Sequence, residues 1–462
     1  MTQTVNKKQN ILGTAPIGGL IRKFAIPSII SLLVTAAYNI TDQIFIGNVV
    51  GMLGNAATNV AFPSVTFTMA FAQLVGIGTA AGFNMCMGAK DEDGAKQYVG
   101  TGLVVMAFLG LLIAGMIFVF KQPILRLCGA TEGVMPYADS YLSITALGYP
   151  LFLFTIAGSM LIRADGSPKY SMACTISGAV VNVLLDWLFM FPLGMGIRGA
   201  ALATVCGQAI SFAMCLRYFF GFKTFKITFA MIGFNFKRFV SITKLGTSNF
   251  INHTLLMLVN IVLNNTLAYY GGLSVYGSDI PLAVSGVLAK LNMILMSVSV
   301  GLAQGCQPIF SFNKGAKNYD RVKKTYLTAI KAIAVVGVVA FALFQIFPRQ
   351  ITSVFGGGSE LYFDFAEKYM RIYMMMVLVI GVQPLTTNYF TSIGCVKQGI
   401  FLSLTRQGLF LIPLLLLLPI PFGIDGALWS APVADFVAFC TSLILVYFSF
   451  KNLTKLQKQV EQ

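Results

Sequence analysis

Apolar stretches of helix length dominate this sequence. About twelve occur, at approximate limits 18–46, 56–83, 97–120, 136–161, 168–192, 195–220, 238–268, 280–311, 323–347, 362–390, 396–420 and 425–450. A bilayer core needs roughly 20 mostly apolar residues per crossing helix, so stretches of this kind suit a spanning role. Lipid offers the backbone no partners, and a helix satisfies its own hydrogen bonds. The expected fold is an all-α polytopic membrane protein with about twelve transmembrane helices. Only 10% of residues are charged, and mean hydropathy is +0.78. Soluble domains average about 25% charged. A soluble enzyme with a single anchor is excluded. Residues 1–20 lack a compact apolar core and an A-x-A-like site, so no cleavable signal peptide is expected.

The net charge of +16 does not point to nucleic acid, because the cations cluster in short loops between apolar spans. Alternate loops carry Lys90 and Lys96; Arg163 and Lys169; Lys223, Lys226, Lys237 and Arg238; Lys314, Lys317, Arg321, Lys323 and Lys324; and Lys397. The terminal segments add Lys7, Lys8, Arg22, Lys23, Lys451, Lys455 and Lys458. The intervening loops are poorer in Lys and Arg. The positive-inside rule then places both termini of this multi-pass protein in the cytoplasm.

The chain repeats itself. Gly88-Ala89-Lys90 returns as Gly315-Ala316-Lys317, and Gly196-Ile197-Arg198-Gly199-Ala200 returns as Gly423-Ile424-Asp425-Gly426-Ala427, at one offset. Six spans per half is an even number, so both halves enter from the same side. That defines two six-helix lobes related by a pseudo-two-fold parallel repeat along the membrane normal. The expected division is 1–220 for the first lobe, 221–237 for a cytoplasmic linker and 238–462 for the second lobe. Two lobes with substrate handled between repeats is transporter architecture. No G-x-x-x-x-G-K-[ST] loop occurs, so an ion gradient, not ATP, is the expected energy source.

Polar residues inside spans are the candidates for work. The first span runs from Arg22 to Gly47, with Pro27 near its start and Asn39 and Asp42 near its far end. Pro27 removes one backbone hydrogen bond and is a candidate bend. In the fifth span Asn182 and Asp186 lie four apart, hence on one helical face. A carboxyl there either takes a proton or keeps its charge by binding a cation. The corresponding positions of the second half, near Phe410 and Leu414, are apolar, so the ion site is expected in the first lobe. Arg406 and Asp435 are expected to pair within the second lobe. Tyr38, Gln73, His253, Asn260, Gln307, Asp435 and Arg406 are candidate cavity residues. The eight cysteines form no C-x-x-C pair and read as packing residues. A single histidine, His253, excludes a His-rich metal site. No cofactor and no metal are expected.

Four segments together resemble the MATE (multidrug and toxic compound extrusion) transporters, over nearly the whole chain. They are Phe24–Pro27 with Tyr38–Asp42, then Arg163–Tyr170, then Asn182–Asp186, and Gly305–Pro308 with Asn313–Lys317. The sequence is most similar to the MepA-like and DinF-type bacterial branch. The resemblance implies an antiporter that alternates between inward- and outward-facing forms around a central cavity. It implies that the coupling ion, a proton or Na+, is held by Asp42 and Asp186, with Asn182 and Thr204 nearby. NorM-type relatives also use acidic residues in spans seven and ten. Span seven here has none, and span ten offers Glu367 near its entrance, then Gln383 and Asn388. This difference favours protons. The expected partners are flat, mostly monocationic drugs, and the expected state is a monomer.

Two rivals differ in class or cargo. A flippase for lipid-linked sugars needs a more cationic cavity and a lateral groove. An intramembrane enzyme such as a polyprenyl transferase needs an Asp-rich metal motif. Asp91-Glu92-Asp93 is the acidic cluster of the chain, and with Lys90 and Lys96 beside it a solvated loop is expected.

Overall fold

A computed structural model describes residues 11–277, 279–354 and 359–462. Lys7 and Lys8 lie outside the described residues. The spans are α1 (Ile17–Val49), α2 (Met52–Gly88), α3 (Glu92–Leu127), α4 (Met135–Ala164), α5 (Pro168–Met190) and α6 (Gly196–Phe220). They continue as α7 (Phe236–Gly272), α8 (Asp279–Gly315), α9 (Tyr319–Ile346), α10, α11 (Val396–Phe422) and α12 (Ile424–Glu461). α10 is a bent pair, Glu360–Tyr373 and Val377–Ser392, turning by 48° at its break. α11 contains a π-helical turn over Thr405–Leu411. No strand occurs among the described residues. The expected all-α bundle of about twelve spans is the fold observed.

The ends differ from the sequence expectation in a consistent way. α2 runs past residue 83 to Gly88, and α12 runs past 450 to Glu461. α7 starts at Phe236, inside the expected linker. Hydropathy marks the lipid-facing length, whereas hydrogen bonds and polar caps carry a helix on into the aqueous layer. Asn235 caps α7 by accepting from the Arg238 amide at 3.2 Å. Asp91 caps α3 by accepting from the Gly94 amide at 2.8 Å, and Lys96 lies 2.9 Å from Glu92. The acidic cluster is thus a helix start with its own cation.

The duplication is visible in the backbone. Lys90 and Lys317 are the two non-glycine residues with positive φ among those described, at 62° and 57°. Each lies in the left-handed region just after the repeated Gly-Ala, and each precedes a capping residue, Asp91 or Asn318. Gly196 and Gly423, at φ 55° and 59°, mark the second repeated motif.

Outward faces are apolar, as lipid requires. Phe108, Leu111, Leu112, Phe118 and Val119 of α3 are exposed, as are Phe436, Leu443, Ile444 and Phe448 of α12. Each lobe has its own packing. α1 packs on α5, while α2 packs on α3 and α4; across the divide, α1 meets α8, and α2 meets α7 and α8. The linker belongs physically to the first lobe. Phe222 is buried in that lobe's core, Phe225 packs against it, and Asn235 donates its amide to Thr101 Oγ1 at 3.3 Å.

The lobes are sealed at the end that carries the basic loops. Every residue of α2 from Val75 to Asn84, and of α8 from Gly301 to Asn313, is buried. Gly88 lies against the Phe312 carbonyl, and Gly315 lies against the Met85 carbonyl. A Cβ at either glycine would collide with backbone, so this reciprocal close approach requires Gly at both. Polar contacts close the same end. Arg163 donates to Gln304 at 3.0 Å, Gln307 donates to the Ile77 carbonyl at 3.3 Å, and Tyr98 and Ser241 share a hydrogen bond at 2.6 Å. At the opposite end Asn39, Gln43 and Ile44 of α1 and Leu258, Asn260 and Ile261 of α7 are exposed. The molecule is closed at the basic end, and at the other end α1 and α7 leave these polar and apolar side chains uncovered.

Candidate functional site

Four helices of the first lobe converge on one polar pocket. Asp42 lies seven residues before the end of α1, about 10 Å along the axis, and Asp186 lies one turn before the end of α5. The two helices run from the same side, so both carboxyls reach a similar depth, toward the end opposite the basic loops. Although near the helix end, Asp186 is fully buried at 0% exposure.

The Asp42 and Asp186 carboxyls are neighbours, and the Asn182 amide lies beside Asp186. Asp186 is packed against protein, while Asp42 is half-buried. Both Asp186 oxygens, Asp42 Oδ1 and both polar atoms of the Asn182 amide have no hydrogen-bond partner among the described residues. No Lys or Arg stands beside the pair among those residues. Two adjacent buried carboxylates repel, and each is costly without a partner. The arrangement therefore suits a shared proton or a bound cation.

Tyrosines complete the pocket. Tyr38 on α1 lies near both carboxyls. Tyr141 on α4 reaches Thr204 on α6 and also lies near Asp42 and Asp186. Tyr149 is buried deeper on α4, with its hydroxyl unpartnered. Sequence reasoning missed Tyr141 and Tyr149. An aromatic residue in an apolar span looks like packing, and the spacing of the two carries no distinguishing signal. Asn39, on the same helix as Asp42, is exposed.

The remaining candidates are spread out. Gln73 is buried within α2. Gln307 belongs to the basic-end seal through its bond to Ile77. His253 is half-buried and Asn260 exposed on α7. Arg406 and Asp435 meet within the second lobe, with Nε at 2.5 Å from the carboxylate. Pro27 is buried in α1, which continues through it as one helix. Phe410 and Leu414 pack against the second lobe's apolar core.

The Arg163–Tyr170 segment has a structural role that sequence alone does not assign. Arg163 crosses to the second lobe at Gln304. Asp165 accepts from the Tyr218 hydroxyl at 2.8 Å, the Lys223 amide at 2.7 Å and the Thr224 amide at 3.0 Å, and also from the Thr224 hydroxyl. It pins the start of the linker to the first lobe. Burial pushes this carboxyl's pKa up, and those hydrogen bonds oppose the shift.

A two-lobed helical bundle with a buried acidic pair in one lobe has the architecture of a membrane transporter. The MatE family profile matches residues 27–188 and 254–417, one segment in each lobe, and the chain belongs to that family. It is a transporter and not an enzyme. It is 27% identical over 439 residues to the multidrug export protein MepA of Staphylococcus haemolyticus, covering 93% of each chain. It is 23% identical to the MepA of Staphylococcus aureus strain MSSA476, covering 95% of this chain and 96% of that one. Among solved structures it resembles the MATE multidrug transporter DinF-BH, with a TM-score of 0.86, 33% identity and 94% and 96% coverage. An outward-facing multidrug resistance MATE transporter of the MOP superfamily matches in fold, with a TM-score of 0.88 at 21% identity, over 94% of this chain and 96% of that one.

Proposed function

We propose that this protein is a multidrug efflux antiporter that exports cationic or amphipathic compounds in exchange for protons. It works as a monomer in the bacterial cytoplasmic membrane, with both termini in the cytoplasm. The observation that carries the reading is the Asp42–Asp186 pair, whose buried oxygens meet no protein partner. The names of the MepA and DinF-BH relatives support drug export.

In this reading the basic end is cytoplasmic, and the structure is closed to the cytoplasm and open outward. Deprotonated carboxylates attract a cationic drug between the lobes, and Tyr38, the partly exposed tyrosine beside them, offers it a flat face. Protonation from outside removes that charge, and the drug leaves. Asn182, beside Asp186, adds an amide to the site for the coupling ion, and the approach of Tyr141 to Thr204 keeps α4 and α6 around the pair. Pro27 leaves α1 short of one backbone hydrogen bond and lets it bend as Asp42 changes state. Asn39 lies one turn before Asp42 on α1 and is assigned to the coupling site, while His253 and Asn260, two turns apart on α7, are assigned to the cavity wall.

Everted membrane vesicles containing the protein test this directly. A fluorescent monocation of fixed charge should accumulate when a pH gradient is imposed and stop when it is collapsed. Accumulation driven instead by a sodium gradient alone would overturn proton coupling. Binding has a definite sign as well. Protons and drug compete, so affinity should fall as pH is lowered, and binding should release protons. Asp42→Asn with Asp186→Asn should flatten the dependence. An affinity constant from pH 5 to 9 in the unmodified protein would rule the competition out.

A further inference from the structure

Between α9 and α12, at the basic end and away from the carboxylate pocket, lies an open groove of about 450 Å³. Its walls carry four lysines and two aromatic residues. Lys451, Lys455 and Lys458 fall at i, i+4 and i+7, hence along one face of α12, and Lys323 faces them from α9. Tyr447 and Phe450 form the wall nearer the membrane centre. We infer that this groove binds the phosphodiester headgroup of an anionic phospholipid.

The depth fits a headgroup. α12 has 38 residues, so it is about 57 Å long. The hydrocarbon core is about 30 Å thick, and roughly 6 Å of headgroup lies on each side. Leu443, Ile444, Tyr447 and Phe448 are exposed apolar or aromatic residues. Tyr and Trp favour the level where tails give way to headgroups. The lysine stripe begins one turn beyond Tyr447, where lipid phosphates lie. Acyl chains can then run along Ile444 and Phe448 while the phosphate meets the ammonium groups.

The charges are available. Among the described residues no carboxylate lies within ion-pair distance of Lys451, Lys455 or Lys458, whereas Lys96, Lys121 and Lys368 each have at least one. Lys323 is held at 2.7 Å from Asp320 and donates to Thr454 Oγ1 at 3.1 Å, which ties the two walls together. Glu461 at the helix end is engaged by Gln457. Lysines that serve only to orient a chain need no shared groove and no second helix. These converge from two helices on one cavity with an aromatic wall, which is the chemistry of a phosphate at a membrane surface.

The test uses the full chain in phosphatidylcholine nanodiscs doped with spin-labelled phosphatidylglycerol or spin-labelled phosphatidylcholine. The immobilised fraction reads lipid held by the protein. Phosphatidylglycerol should associate roughly fivefold more strongly than phosphatidylcholine, about what one lysine contributes near an anionic surface. The Lys451→Gln, Lys455→Gln, Lys458→Gln variant should lose most of that preference. The corresponding triple Lys→Arg variant should keep it, since charge is retained. Added inorganic phosphate at the same ionic strength as a chloride control should leave it unchanged. Undiminished preference in the triple Gln variant would overturn the site. Full displacement by inorganic phosphate would overturn the lipid as its ligand. The groove lies outside the proposed transport pocket, so drug transport can fail or succeed independently of this result.

Discussion

The two lobes share a backbone plan but solve the problem of buried charge differently. In the first, Asp42 and Asp186 sit together with no protein cation, and Asp186 has no hydrogen-bond partner among the described residues. In the second, Asp435 is neutralised internally by Arg406 at 2.5 Å, and the positions matching the acidic face of α5 are filled by apolar packing around Phe410 and Leu414. An unpaired carboxylate pair is poised to accept a proton or cation from outside the chain. A paired carboxylate is already satisfied. The duplication supplied two scaffolds, and only one kept an open electrostatic demand. The second lobe shows backbone irregularity instead, in the α10 bend and the π-helical turn that carries Arg406. Such turns recur at adapted sites.

The sharpest way to break this contrast is to remove the open demand. Asp186→Asn and Asp42→Asn each keep shape but cannot titrate, and each should abolish proton-driven transport while expression and thermal stability stay near normal. Full drug resistance in cells carrying either variant at ordinary levels would mean the two lobes do not differ in this way.

Next comes the satisfied pair. Arg406→Met leaves Asp435 buried without its partner and should destabilise the protein by about 3–5 kcal/mol. The double change Arg406→Met with Asp435→Leu should recover most of that loss, because a matched apolar replacement of a buried pair is near neutral. Thermal unfolding in detergent reads both. If the double variant is stable but fails to transport, the second-lobe pair has a working role beyond structure. A smaller effect is expected at Tyr141→Phe. It removes a hydroxyl that lies near Thr204, a change of at most about 0.5–1.5 kcal/mol, and should weaken drug affinity by no more than about tenfold without removing its pH dependence. Titrations at two pH values separate those outcomes.

Much of this contrast is legible in the sequence, for physical reasons. Carboxylates in apolar spans are rare and costly, so Asp42 and Asp186 stand out unaided. The lobe repeat is legible because its turns need special backbone geometry, and Gly-Ala-Lys is preserved where Lys90 and Lys317 adopt positive φ. What the sequence hides is contact between distant elements. Tyr141 and Tyr149 look like packing until α4 is seen beside α5 and α6. Gln307 looks like a cavity residue until its amide is found on the Ile77 carbonyl. The α10 break carries no proline at its bend. Periodicity therefore reads residues 362–390 as one helix.

The smallest expected effect concerns how the first lobe moves. Pro27 is buried and lies at the sealed end of α1, about 22 Å along the axis from Asp42. Ser31 donates its hydroxyl to the Pro27 carbonyl at 2.8 Å, and Ser28 donates to the Phe24 carbonyl at 2.9 Å. These bonds add side-chain partners to a helix turn that already lacks one backbone donor, and such turns bend at low cost. Pro27→Ala restores the missing donor, so α1 should become stiffer and the protein slightly more stable. Drug affinity should hardly change, since the pocket is far away, while turnover should fall without vanishing. No such hinge is expected in α7, the second lobe's counterpart, which contains no proline. Equal turnover in Pro27→Ala and the unmodified protein, measured in the same vesicles at saturating drug, would make Pro27 a static feature. The functional difference between the lobes would then rest on charge alone.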